Sequence, residues 1–248
     1  MSNTSLILHQ SRSLYLRRVE LEDVPLLFEK MYSNPELMHL VHLNSSIQSE
    51  VQLRQQVAQR LKFLPSESGC LECMVIHKTH GAIGAISAVN YVPFHGHAEI
   101  VIAIFDDYRY TGYGSEAFAM MLDLLFNAYH LHRVYTYAYS HNHFSQKTMR
   151  AAGFIEEGVM QDHLFDRTTQ QFVNLHIFGM TIDQFRQNQR IARITRRLIG
   201  RDITQPLVAP PVPPVSSAPP EIVTPTSLKP TFVKSGAVKL KPKYLTKG

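Results

Sequence analysis

The apolar residues of this chain recur with two periods, and each period predicts a different element. Leu14-Tyr15-Leu16-Arg17 reads as a strand, and Asp23 followed by Pro25 opens a helix carrying Leu26, Leu27, Phe28 and Met31 that stops before Asn34-Pro35. A second helical pattern spans Gln48 to Phe63. Three strands follow, at Glu72 to His77, Ala82 to Tyr91 and Ala98 to Phe105, the first two joined by the turn Thr79-His80-Gly81. A helix from Ser115 to His130 puts Phe118, Met121, Leu122, Leu125 and Phe126 on one side. A strand at Arg133 to Tyr139, a helix at Phe144 to Ala152 and strands at Phe154 to Met160 and Phe172 to Met180 complete the body. A meander followed by alternating strands and helices predicts an α/β (α+β) fold, with a mixed, mostly antiparallel central sheet flanked by helices.

The C-terminal quarter has a different pattern. Ile191, Ile194 and Leu198 fall at helical steps between Ile182 and Ile203, with Arg190, Arg193, Arg197 and Arg201 on much of the other surface. Ten of the 14 prolines lie between Pro206 and Pro242, a composition that favours extended, solvated backbone. The expected organisation is a folded domain over residues 12–181, a basic amphipathic helix over 182–205 and a Pro-rich, Lys-rich disordered tail over 206–248.

Charge follows the same division. The formal net charge of +5 resolves into −4 for residues 1–181, +4 for 182–205 and +5 for 206–248. An acidic body suits a cationic substrate such as an amine, whereas a basic arm suits a protein or anionic partner. Pro210-Pro211-Val212-Pro213 also fits a P-x-x-P docking pattern, although a spacer is the commoner reason for such composition. No run reaches the roughly 18 apolar residues a membrane span needs, and no secretory h-region opens the chain, so a cytoplasmic protein is expected. Cys70 and Cys73 form a lone C-x-x-C inside a strand pattern, which reads as core packing, since no further ligand pair stands at zinc-site spacing.

The candidate chemistry gathers between the third strand of the meander and the helix after it. Arg109-Tyr110-Thr111-Gly112-Tyr113-Gly114-Ser115 places two glycines at a helix mouth, where backbone N–H groups approach a phosphate and the helix dipole favours negative charge. It is not the G-x-G-x-x-G of dinucleotide folds. In its context Arg109-Tyr110-Thr111-Gly112-Tyr113-Gly114 resembles the R/Q-x-x-G-x-G/A motif of the GNAT superfamily of N-acetyltransferases. Asn142-His143-Phe144-Ser145 followed by Gly153-Phe154 resembles the N-x-x-S…G-F signature of the branch that holds the ribosomal-protein serine/alanine N-terminal acetyltransferases. The resemblance extends from about Leu14 to Thr181 and does not cover the C-terminal quarter.

The resemblance implies a GNAT-like acyl-CoA acyltransferase fold and acetyl-CoA as acyl donor. It implies that Ile102, Ala103, Ile104 and Phe105 lie on a splayed strand whose free backbone groups receive the pantetheine and thioester carbonyl. The backbone of Arg109 to Ser115 would hold the pyrophosphate, Asn142 would contact the cofactor arm, and the Ser145 hydroxyl would lie near the sulfur as acid or water anchor. Many members carry a tyrosine acid seven residues after this asparagine; Met149 stands there and cannot donate a proton.

The residues themselves keep other roles open. Asn142 is a good N-cap and Ser145 a common local hydrogen-bonding residue of a first helical turn. Glu99, among apolar neighbours at a strand start, is the candidate base, with a structural carboxylate as the alternative. Tyr139 shares a strand face with Tyr135 and Tyr137, so a phenol acid and plain sheet packing are both open. His95-x-His97 and His141-x-His143 lack the further ligands a metal site needs.

The expected activity is transfer of an acetyl group from acetyl-CoA to a primary amine by direct attack in a ternary complex. A protein or peptide N-terminus is favoured as acceptor over a small amine. The alternative is a catalytically weak protein of the same fold that recruits a partner through its basic arm.

Overall fold

A run of alternately buried side chains can serve two layers at once when both faces of a sheet are covered, and that arrangement organises this chain. The computed structural model describes residues 6–41, 47–166 and 169–206. Eight strands form one sheet: β1 (Ile7–Gln10), β2 (Leu14–Arg18), β3 (Leu71–His77), β4 (Gly81–Val92), β5 (His97–Ile104), β6 (Arg133–Tyr139), β7 (Ile155–Asp166) and β8 (Gln171–Thr181). Their spatial order is β1-β2-β3-β4-β5-β6-β8-β7. Only β5 and β6 run parallel among the described strands; every other neighbouring pair is antiparallel.

The helices are α1 (Val24–Leu27), α2 (Pro35–Leu40), α3 (Glu50–Arg60), α4 (Pro65–Ser68), α5 (Tyr113–Asp123), α6 (His143–Ala151), α7 (Ile182–Arg186) and α8 (Gln189–Leu198). One core joins Leu14, Ile86, Ile100 and Val134 of the sheet to Met120 and Phe126 of α5 and the turn that continues it. The second joins Met74, Ile76 and Ala103 on the other sheet face to Leu27, Leu53 and Val57 of α1 and α3. The fold is thus helix, sheet, helix, as the element order predicts.

Local chemistry sets the helix starts. Asn34 Oδ1 accepts from the N–H groups of Glu36 and Leu37, Ser49 from Gln52, Asn142 from Ser145, and Asn188 from Arg190 and Ile191. Several boundaries differ from expectation for this reason. The helix expected up to Met31 is α1 continued by the wider turn Phe28–Tyr32, and Asn34-Pro35 after it starts another, α2, because the asparagine caps while the proline fits a first turn. The C-terminal helical stretch is two helices, since Asn188 caps α8 after α7 has ended. The strand expected over Phe154 to Met160 continues to Asp166, and β1 was not foreseen.

No helix among the described residues is long and apolar enough to cross a membrane. The segment expected to be a disordered tail lies, from residue 207 onward, outside the described residues.

Candidate active site

The parallel pairing of β5 with β6 is short, and that shortness builds the site. The strands pair at His97 with Arg133, Ala98 with Val134 and Glu99 with Tyr135, and then part. β6 keeps its pairing with β8 through Tyr139, and β5 keeps its pairing with β4 through Ile104. Residues 100–104 of β5 therefore face a gap with the backbone groups of one edge unused by the sheet, a set of polar groups that needs another partner.

At the open end of the gap β5 turns through Phe105 and a short helical turn, Asp106–Tyr108, into the glycine loop. Thr111 Oγ1 donates to the Tyr108 carbonyl at 2.6 Å, and Asp106 accepts from Asn34 Nδ2 at 2.6 Å and from Arg109 Nη1 at 3.0 Å. Gly112 has φ +93°, in the region that favours glycine, and a Cβ there would meet no atom within 4 Å, so the loop opens to space in front of it. The N–H groups of Thr111, Gly112, Tyr113 and Gly114 have no acceptor among the described residues. Four unpaired donors at the start of α5 can form an anion cradle, with the helix dipole behind it.

The cradle opens on a cavity of about 560 Å³. Ile102 and Ile104 of β5, Phe118 and Leu122 of α5, and Ser145 and Met149 of α6 line it. Its walls are mostly apolar, which suits a long flexible arm of low charge that ends in a charged group at the cradle. Leu37 and Leu40 of α2 close one side, and Ile191, Ile194 and Thr195 of α8 close another. These α2 and α8 residues were not among those the sequence nominated.

α6 presents Ser145 to this cavity, and the Asn142 side chain fixes its entry. Asn142 Oδ1 accepts from the Ser145 N–H at 3.0 Å and its Nδ2 donates to the Leu40 carbonyl at 2.9 Å. Both ends of the amide are therefore engaged in tying α2 to α6. The Ser145 hydroxyl lines the cavity and has no hydrogen bond within the described protein. Met149 is buried against the same cavity.

Glu99 lies on the other face of the sheet. It belongs to the last bonded pair before the gap, and pairing with Tyr135 sets both side chains, together with Tyr137 and Tyr139, on the face away from α5. The glutamate is 4% exposed and accepts one hydrogen bond, from Asn90 Nδ2 at 2.9 Å, with no cation beside it among the described residues. Burial drives its pKa from an ordinary 4.5 to about 7, the Asn90 bond only partly opposing it. Burial also raises Tyr135, Tyr137 and Tyr139. Tyr139 stacks on His141, with centroids 5.1 Å apart.

The candidate residues thus fall into two groups, one on each side of the gap. Ile102, Ala103, Ile104, Arg109, Tyr110, Gly112, Gly114, Ser115, Asn142 and Ser145 share the cavity. Glu99 and Tyr139 sit on the opposite face. Phe105, Thr111 and Tyr113 do not line the cavity: Phe105 is buried in the second core, Thr111 braces its own loop, and Tyr113 packs on His77 at 4.8 Å. Cys70 and Cys73 are free and buried, and burial pushes both thiols up to about 12, which leaves them inert packing groups.

His39, His141 and Asp166 converge on one spot, a juxtaposition the sequence hid because the three come from α2, the β6–α6 turn and the end of β7. The two imidazoles stack face to face, centroids 4.0 Å apart and planes 9° from parallel. A metal binds in the plane of each imidazole, and stacked planes give it no common position. His141 Nε2 also bonds the His39 carbonyl at 2.7 Å, so the cluster braces α2 against β6.

The sequence profile of the family described as "Acetyltransferase (GNAT) domain" matches residues 13–155. A curated relative, the SPbeta prophage-derived uncharacterized N-acetyltransferase YokL of Bacillus subtilis (strain 168), is 24% identical over 179 residues, covering 71% of this chain and 94% of its own length. Among solved structures, the ribosomal L7/L12 alpha-N-protein acetyltransferase RimL in complex with coenzyme A superposes with TM-score 0.63 at 17% identity, covering 72% of this chain and 99% of that one. The spermidine N-acetyltransferase from Vibrio cholerae in complex with CoA and spermine superposes with TM-score 0.62 at 18% identity, covering 68% of this chain and 95% of that one.

Proposed function

The chain belongs to the GNAT acetyltransferase family and is an acetyl-CoA-dependent acyltransferase, and from that premise we propose that its acceptor is the α-amine of a protein or peptide, as in the ribosomal-protein acetyltransferase it resembles in fold. The observation that carries this reading is the Glu99 carboxyl, held near pH 7 beside the gap. A peptide α-ammonium titrates near 8, so proton transfer to a base at about 7 is close to balanced. An alkyl ammonium titrates at about 10.4, and the same transfer is uphill by roughly three pH units.

Bound acetyl-CoA supplies the activated acyl group. The residues of this chain would do the rest. The loop N–H groups of Thr111 to Gly114 hold the pyrophosphate, and the unpaired edge of β5 at residues 102–104 orients the arm in the gap. Glu99, directly or through one water, takes the proton that the amine gives up before its nitrogen bonds to the acyl carbon. Ser145 Oγ stands on the donor side to give a proton to the departing thiolate, its own being replaced from water. Neither role needs Met149 to be a tyrosine.

The test is an acceptor panel at pH 7 to 9: peptides with a free N-terminus, the same peptides N-blocked with a free lysine, and spermidine. Acetylation confined to free N-termini supports the reading. Turnover of spermidine or lysine with N-termini untouched overturns the acceptor and leaves the family standing.

A further inference from the structure

The helices after β8 carry more positive charge than their docking uses. Residues 182–205 hold six arginines against Asp183 and Asp202. Three of the six are engaged: Arg186 donates to the Thr204 carbonyl, Arg196 pairs with Asp202, and Arg201 reaches Asp123. Arg190, Arg193 and Arg197 are exposed, and their side chains have no hydrogen-bond or ion-pair partner among the described residues.

All three stand on one side of α8, because the other side is taken. Ile191, Ala192 and Thr195 are buried against the body, and helical geometry turns the arginines away from them. Arg12, whose N–H donates to the Leu198 carbonyl at 2.8 Å, sets a fourth exposed arginine without a side-chain partner beside the helix end. The result is a guanidinium surface on a docked helix, in a chain whose residues 1–181 are net negative. The sequence after residue 205 adds six lysines against Glu221.

We propose that this surface binds the phosphate backbone of a nucleic acid without sequence preference. The guanidinium fork matches a phosphate in bidentate fashion. Two other anionic partners fit the surface less well. A helix lying on a membrane inserts its apolar side, and that side of α8 is buried in the protein. An acidic protein needs an apolar or aromatic anchor at the centre of its interface, whereas the exposed residues of α8 are Gln189, Arg190, Arg193, Arg196 and Arg197. A polyanion needs only the charge. The same lack of aromatic rings removes base stacking, so the contact is to the backbone alone. Arg12, Arg193 and Arg197 do not line the donor cavity, so such binding localises the enzyme and takes no part in the transfer step.

Fluorescence anisotropy with two labelled RNA duplexes of unrelated sequence tests this on the full chain between about 50 and 200 mM salt. The wild type is expected to bind both alike, with log K falling linearly against log salt. The combined variant Arg12→Gln, Arg193→Gln, Arg197→Gln is expected to bind about tenfold more weakly or worse at the low-salt end, with a slope shallower by about 2 to 3. The corresponding lysine substitutions keep the charge and are expected to keep the slope. Melting temperature and acetyl-CoA affinity are expected to stay at the wild-type values in both variants, which separates a lost contact from a lost fold. A wild type that binds neither duplex, or that discriminates between them, overturns the inference. So does a glutamine variant with an unchanged slope, which would place the contacts elsewhere in the chain. Binding to phosphatidylserine vesicles in place of the duplexes would assign the surface to a membrane and overturn it as well.

Discussion

Replacing Glu99 with glutamine removes a charge the fold holds at a loss, and the consequence can be worked out in numbers. Burial lifts this carboxyl from an ordinary 4.5 to about 7. At about 1.36 kcal/mol per pH unit, that displacement amounts to roughly 3 kcal/mol of native-state destabilisation once the group is ionised. Between those two pH values the native state binds a proton that the unfolded state has already released. The carboxyl's contribution is therefore intact below pH 4.5 and is lost as the pH rises through about 7. Glutamine keeps the bond from Asn90 Nδ2 and carries no charge. Urea unfolding of wild type and Glu99→Gln at intervals from pH 4.5 to 8.5 measures the difference. The variant is expected to match the wild type at the acid end and to exceed it by about 3 kcal/mol at the alkaline end. In the same protein kcat/KM falls by at least a hundredfold and loses its rise near pH 7. Stability curves that stay parallel across the range would refute the buried, charge-penalised carboxyl and the base assigned to it.

Other perturbations test separate parts of the account. Ser145→Ala is expected to lower kcat by ten- to a hundredfold while CoA affinity stays within about twofold, read by steady-state kinetics and calorimetry. Asp123 lies 2% exposed, and burial would raise its pKa, but His9, Asn127 and Arg201 together hold it below its ordinary 3.8. Asp123→Ala is therefore expected to cost about 3 kcal/mol at neutral pH, with the gap from wild type closing only as the pH falls below that ordinary value, by chemical denaturation. Ile191→Asp puts a charge into the wall that α8 gives the donor cavity, and both thermal stability and CoA affinity are expected to fall.

Much of this architecture is written in local patterns. The glycine loop, the capping asparagine at 142 and the alternating strands around residues 72–105 are each legible because one short segment carries the whole signal. The same applies to Glu99, whose apolar neighbours on a strand announce its burial. What stayed hidden depends on contacts distant in sequence. Leu37, Leu40 and Ile194 read as ordinary apolar residues, and nothing near them in the chain says that their helices wall the donor cavity. The convergence of His39, His141 and Asp166 is invisible for the same reason.

The C-terminal helix shows the limit most clearly. Its apolar stripe is legible, and its arginines suggested an external partner for the arm. In the fold Arg201 reaches the buried Asp123, Arg196 pairs with Asp202 at 2.7 Å, and Arg186 Nη1 donates to the Thr204 carbonyl at 3.0 Å. Arg201 thus fastens the segment to the body while Arg196 and Arg186 brace it internally, and net charge by segment cannot reveal the first use because the acceptor Asp123 stands in a different segment.

The central claim is that the donor's pyrophosphate rests on the backbone at Gly112. Calorimetric titration of acetyl-CoA into wild type, Gly112→Asn and Gly112→Asp measures it most directly. Both variants place a Cβ at the same left-handed position with open space before it, and they differ only in charge. The account predicts binding by the wild type, binding within about tenfold of it by the asparagine variant, and none detectable for the aspartate, whose carboxylate would face the phosphates. Equal binding by the asparagine and aspartate variants would contradict it.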